Sequence, residues 1–71
     1  MTELGLYLAK KSINKAEVSR KTGISASRLS ELTLNPGAHL RAKELYLIAL
    51  AIDVNPCELL NIVCDKISLT K

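Results

Sequence analysis

The segment from Asn14 to Thr33, NKAEVSRKTGISASRLSELT, leaves little freedom in local structure. Asn14 is a strong N-cap residue, and Glu17 stands three positions on, the Asn-x-x-Glu spacing of a capping box. Val18 gives the helix that follows an apolar anchor. Gly23 falls where a left-handed residue ends a helix, a conformation that the missing Cβ makes inexpensive. Ser25 then caps a second helix, with Leu29 and Leu32 three apart on one side. The spacing predicts helices over 15–22 and 26–33, set at a wide angle by a short glycine turn.

The flanking sequence is also helical. Thr2 or Glu3 opens a first helix running to about Lys11, with Leu4, Tyr7, Leu8 and Lys11 at i, i+3, i+4, i+7. Gly5 weakens that helix by about 1 kcal/mol relative to Ala and marks a candidate close backbone contact. Asn35-Pro36-Gly37 is turn chemistry and places a loop over 34–40. A fourth helix is expected from about Arg41 to Ala51. Leu45, Ile48, Ala49 and Ile52 form its stripe, and Leu47 and Leu50 widen it toward burial on more than one side. Asn55 caps a fifth helix, with Pro56 at its first position and Glu58 completing a second Asn-x-x-Glu box. The expected fold is all-α, a compact five-helix unit over 1–64. The tail 65–71 is either frayed or a short extended segment that pairs with something. At 71 residues there is one domain, and two Tyr are the only aromatics, so the core is aliphatic.

The run INKAEVSRKTGISASRLSEL resembles the helix-turn-helix of the Cro and phage-repressor family, also called the XRE family. The matching positions are Ile13, Asn14, Val18, Ser19, Gly23, Ile24, Ser25, Leu29, Ser30 and Leu32, with a weaker likeness over 4–62. Lys15 replaces the family's frequent Gln, Ser19 its small Ala, and Thr33-Leu34-Asn35-Pro36-Gly37-Ala38 its usual exit. The resemblance implies a lambda-repressor-like DNA-binding domain. Its third helix would enter the major groove of double-stranded DNA, and positions matching Ala26, Ser27 and Glu31 would reach base edges.

Helix geometry selects the same face. With Leu29 and Leu32 buried, Ser27, Ser30 and Glu31 point away from the core, and Ala26 and Arg28 flank them. Arg28 suits a guanine edge or a phosphate, Ala26 a thymine methyl, Glu31 a cytosine amine, and the serines either base. Residues 10–28 carry Lys10, Lys11, Lys15, Arg20, Lys21 and Arg28 against Glu17 alone, so a net +3 chain concentrates its positive charge on this motif. Phosphate contacts are expected from Asn14 and Lys15, then from Ser25, Lys10, Lys11, Lys43 and His39. Lys10 and Lys11 equally suit the negative end of their own helix. Such modules read half-sites as dimers. Ile62, Val63, Ile67 and Leu69 are the expected homodimer surface, although Ile62 and Val63 also suit the core.

Other classes fit less well. There is no paired-carboxylate, Cys/His or phosphate-loop spacing, so no enzyme, catalytic residue or cofactor is expected. Cys57 and Cys64 lie about 10.5 Å apart along one helix, too far for a disulfide, and a single histidine argues against a metal site. No apolar run approaches a membrane span, and no leader layout precedes it, so the expected location is cytoplasmic. No small-molecule ligand is expected. The chain is read as a transcriptional regulator, with a repressor occluding a promoter in first place. An antitoxin-like module, covering a protein partner with its apolar C-terminal surface, is the alternative.

Overall fold

The computed structural model describes residues 1–65 and Leu69. It contains α1 (Glu3–Lys10), α2 (Lys15–Thr22), α3 (Ala26–Leu34), α4 (Ala42–Ala51) and α5 (Pro56–Val63), and no strand among the described residues. Packing pairs α1 with α3, α3 with α2, α2 with α4, α4 with α5, and α5 with α1, which closes a ring around one core. Leu4, Leu8, Val18, Leu29, Leu32, Leu45, Ile48, Ala49 and Leu59 fill it, so every helix contributes.

Local chemistry explains the boundaries. Asn14 Oδ1 accepts from the N–H groups of Ala16 and Glu17, Ser25 Oγ from Arg28, and Asn55 Oδ1 from Cys57. Gly23 ends α2 with φ of 79°. Neither Asn-x-x-Glu box closes. Glu17 turns to the Arg20 guanidinium one turn on, and Glu58 makes no return bond to Asn55. Both expected boxes therefore act as single caps.

The α1–α2 and α4–α5 connections share one design. Ser12 and Asp53 adopt left-handed φ of 55° and 63°. Ser12 and Ile13 N–H bond to Ala9 and Leu8 carbonyls, and Asp53 and Val54 N–H to Leu50 and Ala49 carbonyls. This is a Schellman closure, with the apolar Ile13 or Val54 turned toward the core and an Asn cap directly after it.

The α1–α3 crossing is unusually close. A Cβ on Gly5 would overlap the Thr33 carbonyl oxygen. Thr2 sits at the same junction. Its N–H donates to Thr33 O at 2.9 Å, and its hydroxyl donates to Leu32 O at 2.8 Å while accepting from Gly5 N. One residue thus caps the start of α1 and satisfies two end carbonyls of α3.

Three expectations change. Leu34 belongs to α3 rather than to the loop, because the helix continues until its C-cap at Asn35. Leu50 is 57% exposed, so α4 is not buried on both sides; Tyr46 and Leu60 are about half exposed as well. Lys11 does not face inward; it lies over the Tyr7 ring at 5.4 Å, with its ammonium in solvent.

Candidate nucleic-acid interface

The exposed face of α3 carries Ala26, Ser27, Ser30, Glu31 and Leu34, while Leu29, Leu32 and Thr33 are buried behind it. Leu34 was absent from the expected face, yet it follows Ser27 by seven and Ser30 by four, the helical spacing that places it there. No cation stands on this face. Its one anion, Glu31, is matched from the side by Arg28.

Arg28 occupies a different environment from the one its position suggested. Its Nε and one terminal nitrogen donate to both carboxylate oxygens of Glu44, at 2.8 and 2.9 Å. That terminal nitrogen also reaches the His39 carbonyl at 2.7 Å. The other donates to Glu31 Oε1 at 2.7 Å. The side chain is 25% exposed, and that of Glu44 13%. The planar fork suits a two-point carboxylate contact that a lysine cannot reproduce. Glu44 also accepts from Arg41 N–H at 3.0 Å, closing the first turn of α4; Arg41 has no acceptor to offer in return.

This clasp spans a gap. No α3 and α4 Cα atoms approach within 8 Å, so the two helices are joined here by long side chains. The Arg28 guanidinium, helped by Arg41 N–H, lowers the Glu44 pKa to about 2. Hydrogen bonds donated by Arg28 to Glu44 and then to Glu31 raise its own pKa. Sequence inspection missed Glu44, since nothing in the spacing links it to a residue sixteen positions earlier. The Glu three after Arg41 signals only a helix start.

The expected phosphate ligands fall into three groups. Asn14, Lys15 and Ser25 lie at the starts of α2 and α3, which pack together. Lys43 is exposed in the first turn of α4 beside the exposed Arg41, and the Glu44 clasp ties that turn to α3. Arg41 was not among the expected ligands. Lys11 precedes α2, whereas Lys10 borders a shallow groove with Glu3, Leu6, Tyr7 and Ile62 between α1 and α5. Of the other basic residues, Arg20 pairs with Glu17, which lowers the Glu17 pKa on an exposed surface. His39 contributes its carbonyl to Arg28, and its residue is exposed.

The expected dimer residues are likewise divided. Ile62 lines the α1–α5 groove and Val63 packs on the core. Leu69 is 92% exposed, and Ile67 lies outside the described residues. Cys57 and Cys64 are free thiols, and no group of three metal-ligating side chains occurs among the described residues. No single helix there is long and apolar enough to cross a membrane.

Two capped helices at a glycine turn, the second presenting a polar face beside basic helix starts, define a helix-turn-helix DNA-binding module. The chain belongs to the Cro/C1-type helix-turn-helix DNA-binding domain family, whose model matches residues 3–65. This is a family of DNA-binding domains rather than enzymes. No curated protein and no solved structure gives a match.

Proposed function

We propose that this protein is a small sequence-specific regulator that binds double-stranded DNA as a homodimer and represses transcription by occluding a promoter. The observation that carries the reading is the uncluttered outer face of α3, whose one charged group is Glu31, flanked by the basic starts of α2 and α4. Ala26, Ser27, Ser30 and Glu31 face the bases. Asn14, Lys15, Ser25, Lys43 and Arg41 hold the phosphates on either side, with Lys11 behind them. Lys10 and His39 are outlying members. Arg28 serves the protein rather than the DNA.

The binding unit runs over 1–64. Ile62 and Val63, with the tail 65–71, extend the surface for a second copy. The site of action is the nucleoid. An antitoxin-like role is the second reading, and the exposed Tyr46, Leu50 and Leu60 favour it.

The test is a DNA titration across salt, comparing random duplex with the DNA upstream of this protein's own gene. Specific binding that weakens steeply with salt supports the regulator. Lys15→Gln should lower the slope of log affinity against log salt by about 0.9, the contribution of one phosphate contact. Equal, weak binding to both DNAs would favour a protein partner.

A further inference from the structure

From the Arg28 cluster we infer that Glu31 is a preorganised reader of cytosine, with Arg28 and Glu44 as the residues that position it. The inference rests on the proposed DNA-binding face of α3. Glu31 is exposed there, and its side chain is 50% accessible. Arg28 holds one of its carboxylate oxygens at 2.7 Å and leaves the other oxygen unbonded. Arg28 cannot swing away freely, because Glu44 grips it at two points and the His39 carbonyl at a third. The carboxylate is therefore held on the outer face of the helix by a chain of contacts that begins in α4.

The electrostatics suit this role. A bare carboxylate entering the groove would meet the phosphate charge; here a guanidinium, shared with Glu44, stands directly beside it and offsets part of its charge. An ionised carboxylate only accepts. In the major groove, cytosine offers the N4 amine with no acceptor of its own beside it. Adenine places the N7 lone pair next to its N6 amine, guanine shows N7 and O6, and thymine shows O4 and a methyl group. A pure acceptor at this point favours cytosine: guanine and thymine offer it no donor, and adenine sets the N7 lone pair beside its one donor. Glu44 and Arg28 touch no base; they set where the acceptor stands.

The test is selection of binding sites from a random duplex pool by wild-type protein, Glu31→Gln and Glu44→Gln. Wild type should enrich sites with one fixed C·G pair. Glu31→Gln should move that pair alone to A·T, since an amide can bond both N6 and N7 of adenine, with a preference of roughly tenfold. Glu44→Gln should flatten the preference at that pair and leave the other positions sharp, which a general loss of stability would not do. Glu31 is exposed, so its variant folds even if the Glu44 variant does not. A wild-type motif unchanged by Glu31→Gln at every position, or one shifted from a pair other than C·G, would overturn the inference. Failure of wild type to enrich any motif would instead overturn the DNA-binding reading beneath it.

Discussion

At its N-terminal end α3 is tied to α4 by a guanidinium between two carboxylates, whereas at its C-terminal end it lies directly against α1, backbone on backbone. The first junction bridges a gap with long side chains; the second leaves no room for a single Cβ. Thr2 gives the close junction its hydrogen bonds, and Glu44 gives the open one its charge. The difference has a functional reading. The end next to the proposed DNA face is held by groups that respond to pH and ionic environment. The far end is held by shape and by uncharged hydrogen bonds, which do not.

Substitutions should separate the two junctions. The largest effect belongs to Gly5→Ala. Its methyl group meets a backbone carbonyl that has no rotamer to escape into, so the loss should be about 3 kcal/mol or more by denaturant unfolding. In a domain of this size that approaches the whole stability. Glu44→Gln should follow, at about 2 kcal/mol, since it weakens two charge-assisted bonds to Arg28. Thr2→Ala should cost about 1 kcal/mol, through loss of its cap to Gly5 and its bond to Leu32 O.

A smaller but more selective contrast comes from acid. The Glu44 pKa is lowered from 4.5 to about 2, so its stabilising contribution is complete above 4.5 and disappears as pH falls toward 2. The stability gap between wild type and Glu44→Gln should therefore close over that window. The gap between wild type and Thr2→Ala should not depend on the Glu44 titration. Chemical unfolding at several pH values checks both, and equal pH responses would erase the distinction between the junctions.

Much of this was legible in the sequence because caps and glycine act locally. Asn14, Gly23, Ser25 and Asn55 end or begin helices where their chemistry says they should. Gly5 advertised a close contact, although its partner, Thr33, could not be named. The exposed side of α3 followed from Leu29 and Leu32. What stayed hidden depends on tertiary distance. Nothing near Arg28 in sequence announces its partner Glu44. Ser12 and Asp53 take a conformation usually left to glycine, so the two matching connections were not evident from residue type. Glu17 had two partners within reach, Asn14 N–H and Arg20, and spacing alone could not decide between them.

The most direct test of the central claim, that the proposed base-reading helix is fixed to α4 through Arg28 and Glu44, is a double-mutant cycle without DNA. Wild type, Arg28→Gln, Glu44→Gln and the double variant are unfolded in denaturant at neutral pH. The structure predicts a coupling of about 1.5 kcal/mol, with the double variant scarcely worse than either single one. Strict additivity, within about 0.3 kcal/mol, would contradict it and return Arg28 to the list of residues free to meet DNA.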